Sequence, residues 1–225
     1  MMIQRPDSCI GCPLHTKSTP GFVPDAVARH QRYVLVAEAP GRNEIDQGKP
    51  MVGKAGHVLH NWLLHAVLPL KLAWERGEVT IANTLRCLPN EIQGRAYPRG
   101  EEKTQAEEHC RQYDTWRTLP YETVVLLGEH AQRYWFKDEL EAEDVSDRRL
   151  GHEVKGVMGR IGRVYERDGR RWVFAPHPAF ILRQPALVEH GQAALKIAAN
   201  IDKIVEVEYT NWDEAMHQMQ ANKTA

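Results

Sequence analysis

The sequence predicts an α/β domain layered around a largely parallel sheet, and three observations carry that prediction. Strand and helix signals alternate along the chain, as they do in layered α/β folds. Residues 33–39, Tyr-Val-Leu-Val-Ala-Glu-Ala, form a short apolar run of buried-strand type. Residues 53–67 then carry Val58, Leu59, Trp62, Leu63 and Val67 at the one-three-four spacing of a helix packed on a sheet.

The remaining elements follow in order. The first strand breaks at Ala39-Pro40-Gly41 into a turn carrying two carboxylates, Glu38 and Glu44. Residues 79–85 read as a second strand, and 104–119 as a second helix that Pro120 stops. Residues 123–128 are a third strand, followed by a helix from about Glu129. Residues 163–174 read as a hairpin, because Asp168-Gly169 is a favoured two-residue turn between alternating arms. Its second arm runs into Ala175-Pro176-His177-Pro178, and residues 186–204 form a closing helix. Surface loops are expected at 89–103 and 139–159.

A chain of 225 residues, 42% hydrophobic and 26% charged, is large enough to bury one sizeable core. We expect one domain over residues 1–205 and a C-terminal extension over 206–225. The net charge of -1 excludes a global basic field, so any nucleic-acid contact must come from a local patch. No stretch reaches the length of a membrane span, and residues 1–9 lack the apolar core of a signal peptide. A cytoplasmic monomer is expected, with no membrane partner. Disulfides are uncommon in that compartment, so the four cysteines need another explanation.

Cys9 and Cys12 form Cys-x2-Cys in a loop-like N-terminus, Cys87 closes the second strand, and Cys110 lies in the second helix. Four thiolates suit a tetrahedral zinc or an iron–sulfur cluster, and spacing alone does not choose between them. Four ordinary buried cysteines are the plain alternative. At the carboxyl ends of the strands, where open α/β sheets bind ligands, stand Glu38 and Glu44, Asn83, and His177. Singly each reads as an ordinary loop or turn residue. Together they describe a pocket, because an amide pairs with a pyrimidine edge and an imidazole stabilises a departing anion.

Cys9-Ile-Gly-Cys-Pro-Leu-His15, Ala37-Glu-Ala-Pro-Gly-Arg-Asn-Glu44, Gly48-Lys-Pro-Met-Val-Gly-Lys-Ala-Gly56, Ile81-Ala-Asn-Thr-Leu-Arg-Cys87, Leu126-Leu-Gly128 and Pro176-His-Pro-Ala-Phe-Ile-Leu182 resemble, in order, the motifs of the iron–sulfur (family 4 type) uracil-DNA glycosylases. The resemblance spans roughly residues 9–204. It implies a three-layer α/β/α sandwich around a short, mainly parallel four-stranded sheet, with a [4Fe–4S] cluster on Cys9, Cys12, Cys87 and Cys110. It implies hydrolysis of the N-glycosidic bond of uracil in single- or double-stranded DNA, the first step of base excision repair. The backbone of Glu38 and Ala39 would line the uracil pocket, Asn83 would pair with the base edge, and His177 would stabilise the leaving anion. Glu44 would orient water or limit the pocket. Phe180, Ile181 and Leu182 resemble the loop that fills the vacated base stack. Arg183 and Arg163, with Arg160, Arg167, Arg170 and Arg171, are candidate phosphate contacts, or else a solvated hairpin face.

The sequence also departs from the family. Met51 stands where a Phe usually stacks on uracil, His57 stands where Gln is common, and the 88–109 loop is longer than the norm. A related branch uses a histidine in that loop covalently, but none lies between Cys87 and His109. Two alternatives stay open: the same fold acting on another modified pyrimidine or as a catalytically weak DNA-binding relative, and an unrelated zinc or iron–sulfur module.

Overall fold

The computed structural model describes residues 1–92, 95–96, 99–149 and 158–199. In chain order its elements are β1 (Tyr33–Ala37), α1 (Arg42–Gln47), α2 (Lys54–His57), a π-helical continuation (Val58–Leu64), α3 (Leu68–Glu75) and β2 (Val79–Asn83). A small hairpin, β3 (Glu91–Ile92) and β4 (Arg95–Ala96), precedes α4 (Gly100–Cys110). Then come β5 (Thr123–Leu127), α5 (Gly128–Trp135), α6 (Lys137–Arg149), β6 (Val164–Arg167), β7 (Arg170–Ala175), α7 (Pro178–Arg183) and α8 (Val188–Ala198).

Among the described residues the main sheet has five strands, in the order β2-β1-β5-β7-β6, rather than the four expected. β1, β2, β5 and β7 are parallel, and β6 joins the edge antiparallel to β7, so the sheet is mixed. The fifth strand is the first arm of the predicted hairpin. Its residues alternate between exposed and half-buried, as an edge strand with one solvated face does. β1, β2 and β5 are buried at every position because helices cover both faces.

Strand periodicity sorts the core into two halves. Leu35, Val125 and Val173 point to one face and pack under the π-helical segment, α7 and α8. Val34, Val124 and Trp172 point to the other, against Trp116, Phe136 and Leu140. Aligned register brings Ala37 level with Asn83, and Leu127 level with Ala175. Four parallel strands therefore end on one line, and the residues that follow them share one rim.

Several boundaries differ from expectation. The second helix ends at Cys110, and 3-10 turns at Arg111–Tyr113 and Thr115–Thr118 replace its second half. Asp114 interrupts the helix there (φ -77°, ψ 56°), and its carboxylate binds the buried Arg86. The expected loop at 139–159 is helical through Arg149, and the one at 89–103 holds the small hairpin and the first turn of α4. Cys87 lies four residues beyond the end of β2 rather than at it. α1 and α7 replace what read as turn and loop. Residues 93–94 and 97–98 of the longer loop, residues 150–157 of the expected loop at 139–159, residues 200–204 of the closing helix and the 206–225 extension lie outside the described residues. Among those described, no helix is long and apolar enough to cross a membrane.

Candidate active site

The line of strand ends opens onto a cleft of about 960 Å³ lined by Glu38, Ala39, Glu44, Met51, Asn83 and His177. Thr84 N–H donates to Ala37 O (2.9 Å), and the Thr84 hydroxyl and Leu85 N–H donate to Glu38 O (2.7 and 2.9 Å). Those bonds fix Asn83 beside Glu38. Asn83 is a buried residue (3% exposed) that lines the cleft, and among the described residues no hydrogen bond engages its carboxamide, which leaves a donor and an acceptor available to a ligand there.

His177 follows β7 as the N-cap of α7, and its Nδ1 accepts a hydrogen bond from Ala179 N–H (3.1 Å). That bond fixes the tautomer: in the neutral ring Nε2 carries the proton and is free to donate. Burial holds its pKa down to about 4, so the imidazole is neutral at physiological pH. Its approach depends on Gly128 at the start of α5. Gly128 has φ +87°, and a Cβ there would stand 2.8 Å from His177 Cβ.

Glu44 is 7% exposed, and both its oxygens are occupied. Oε2 accepts from Gly41 N–H (3.0 Å) and Oε1 from Gly53 N–H (2.7 Å). The carboxylate thus clamps the Pro40-Gly41 turn to the start of α2, two walls of the cleft. Met51 is buried with φ +54°, a left-handed conformation that costs a non-glycine residue roughly 1–2 kcal/mol. Its carbonyl leaves no room for a side chain at Gly56, where a Cβ would lie 1.8 Å away.

Sequence reasoning missed His130, which lines the same cleft from α5. Its Nδ1 stands 3.2 Å from Glu38 Oε1 and its Nε2 2.8 Å from Glu107 Oε1. Nε2 makes no hydrogen bond among the described residues, so the Glu107 contact is one of proximity. A polar residue three positions past the end of β5 was the available signal. Four cations, Arg42, Lys54, Arg99 and Lys103, also line the cleft.

The hairpin arginines are engaged elsewhere. Arg163 Nη1 is 2.5 Å from Glu143, Arg160 is buried against Asp144, and Arg167 reaches Glu139 and Trp135 O. Arg170 donates to Arg117 O and Leu119 O. They form a self-paired face rather than a free cationic patch. On α7, Ile181 is fully buried in the core and Phe180 packs against it, whereas Leu182 (39% exposed) and Arg183 reach the surface.

A second, small apolar cavity is lined by all four cysteines, Cys9, Cys12, Cys87 and Cys110, with Leu14 and Phe22. All four thiols are free. Among the described residues Cys9 Sγ shares a hydrogen bond with the Tyr113 hydroxyl (3.2 Å), and the Ser18 hydroxyl beside Cys87 donates to Leu14 O (2.6 Å). Burial pushes the Cys110 thiol up to about 12. A metal cation would reverse that cost. Among the described residues, no three of His, Cys, Asp and Glu group as ligands of a single ion. Four thiols lining one cavity are a donor set that suits either a tetrahedral zinc or an iron–sulfur cluster.

Fold and site together define an α/β domain with a cleft of about 960 Å³ at its strand ends and a cavity lined by four cysteines. Residues 24–202 match the family described as the Uracil DNA glycosylase superfamily. The chain is 31% identical over 195 residues to the Type-4 uracil-DNA glycosylase of Archaeoglobus fulgidus, covering 84% of this chain and 85% of that protein. It is 32% identical over 184 residues to the Type-4 uracil-DNA glycosylase of Pyrobaculum aerophilum, covering 80% and 82%. Against that of Sulfurisphaera tokodaii it is 33% identical over 185 residues, covering 80% and 74%. This chain belongs to the uracil DNA glycosylase superfamily.

Proposed function

We propose that the protein is a uracil-DNA glycosylase, which hydrolyses the N-glycosidic bond of uracil in single- or double-stranded DNA and leaves an abasic site for base excision repair. The observation that carries this reading is the Asn83 amide, free of hydrogen bonds among the described residues, sharing one cleft with a neutral His177. The names of its relatives support it. Residues 1–205 are read as the catalytic domain, acting as a cytoplasmic monomer, with 206–225 as an extension.

Uracil enters the cleft flipped out of the strand, at a cost of a few kcal/mol. The Asn83 amide donates to O4 and accepts from N3–H, and cytosine presents the opposite pattern. As the bond to N1 breaks, the electron pair leaves with the base, and His177 Nε2–H donates to O2 of the resulting anion. Water then adds to the sugar carbon. Ala39 provides no base for that water, so bond cleavage runs ahead of attack and the water's proton passes to the uracil anion or to solvent. Glu44 acts as a positioning residue through Gly41 and Gly53, since both its oxygens are already engaged. Leu182 is the side chain that fills the vacated stack, and Arg183 stands beside it.

The cysteines Cys9, Cys12, Cys87 and Cys110 would hold a [4Fe–4S] cluster, whose contribution is to cross-link the N-terminal loop, the β2 exit and α4. His130 ties Glu38 to α4 one turn before Cys110, joining the cleft to that cross-link.

Three results are expected. Replacing Arg99 and Lys103 together by Gln should flatten the slope of log affinity against log salt by about 1.4 for single strands, 0.7 per phosphate contact. An unchanged slope would move the phosphate track elsewhere. His177 should titrate near 4 in NMR, and the cleavage rate should show no inflection at the ordinary histidine value of about 6.5. The sign is fixed: the unfolded chain binds this proton first, so the stability contribution is complete above pH 6.5 and declines as pH falls towards 4.

The third uses a panel of oligonucleotides carrying uracil, thymine, cytosine or 5-substituted uracils, with free base detected by mass spectrometry. Uracil release is expected, and Met51→Phe should tighten uracil binding several-fold through ring stacking of about 1 kcal/mol. Release of a 5-substituted base without uracil would favour the second reading, which the left-handed Met51 in place of a stacking ring motivates.

A further inference from the structure

Arg86 lies between the strand that carries Asn83 and the cysteine Cys87, and its side chain is 1% exposed. One arm of its guanidinium is fully occupied. Nη2 donates to Asp114 Oδ1 (2.8 Å), Asp25 Oδ2 (3.0 Å) and Tyr113 O (3.1 Å). The other two nitrogens, Nε and Nη1, are buried and have no acceptor.

Buried guanidinium donors without acceptors are rare, because the desolvated N–H groups recover nothing for the water they lose. The residue lines the cavity of the four cysteines, beside the Cys110 thiol on which its charge acts. The other cation of that cavity, Arg5, differs. Its guanidinium donates to Gly21 O (3.2 Å), to Ser18 O (3.2 Å) and hydroxyl (2.6 Å), and to the carbonyls of His15 and Thr19. Arg5 is engaged in holding the N-terminal loop. Anchoring alone accounts for one nitrogen of Arg86 and leaves two unexplained.

We propose that the two unpartnered donors of Arg86 serve the sulfurs of the iron–sulfur centre, as its direct hydrogen-bond donor and counter-charge, with Asp25 and Asp114 holding the guanidinium in place. This rests on the assignment of a cluster to the four cysteines. A positive donor at the sulfurs stabilises the more reduced, more negative state, so Arg86 raises the reduction potential. It also makes loss of the centre slower, because thiolates and sulfide are harder to protonate beside a fixed cation.

The test uses the full chain purified with its iron. Iron and sulfide are measured first. In protein labelled with 15N only in arginine guanidinium groups, pulsed EPR of the centre in its paramagnetic state should show 15N coupling. Arg86→Lys, which keeps the charge but not the two directed donors, should lose that coupling. In Arg86→Met the reduction potential should move to more negative values, and iron should be lost to a chelator several-fold faster than from wild type. Coupling absent from iron-loaded wild type would overturn the proposal even if both variants fail to fold. So would an iron-replete Arg86→Met with an unchanged potential. Wild type without iron would overturn it through the cluster assignment, a failure distinct from that of Arg86.

Discussion

His177→Ala lowers the single-turnover rate of uracil release by about 100- to 1000-fold, the usual cost of removing one donor from a developing anion. DNA affinity stays close to that of the parent, because His177 meets the base only when it is flipped and leaving. The ring is set by three features of this chain: the Pro176-His177-Pro178 exit from β7, the Ala179 N–H on Nδ1, and the absence of a side chain at Gly128. Gly128→Ala should therefore reproduce much of the loss without touching the imidazole. Its Cβ would meet His177 Cβ at 2.8 Å, and its backbone would be strained at φ +87°. Two variants as fast as the parent would remove His177 from the chemistry.

Asn83→Asp should lower the preference for uracil over cytosine by about 100-fold or more. The carboxylate still accepts from N3–H but has nothing to donate to O4, and it faces that oxygen with like partial charge. A buried mispaired polar group costs about 1–3 kcal/mol, more when charged. Cytosine, whose amino group donates at the same place, becomes relatively better accommodated. The backbone should hold, since Asn83 closes β2 in register with Ala37 and its main-chain pairing is independent of the side chain. Competition between uracil- and cytosine-containing strands reads the ratio directly, and an unchanged ratio would place base recognition elsewhere in the cleft.

How much of this was legible depended on the range of the interaction. β1, β2 and β5 were readable because an apolar run buried on both faces is a local property, and Asp168-Gly169 announced its hairpin for the same reason. The strand count was not, since whether the first arm joins the sheet is decided by pairing with β7. The end of the second helix was hidden because Asp114 leaves it to bind Arg86, a partner 28 residues away in sequence. Glu38, Asn83 and His177 stood out as polar residues at strand ends, and the structure brings them into one cleft. Glu44 was found, but its two oxygens are engaged by Gly41 and Gly53, contacts that only three-dimensional proximity creates. The arginines of the hairpin read either as phosphate contacts or as a solvated face, because sequence shows charges and not their partners. Conversely Arg99 and Lys103 gave no local signal, and the fold carries them to the cleft with His130, whose place just past a strand end was legible.

The most direct test of the central claim is a single-turnover reaction of iron-loaded, folded protein with a labelled single-stranded oligonucleotide containing one uracil, followed by alkali. The account predicts scission at the uracil position, with free uracil released in equal amount and the rate collapsing in His177→Ala. Intact strands after prolonged incubation with protein that binds them would contradict it.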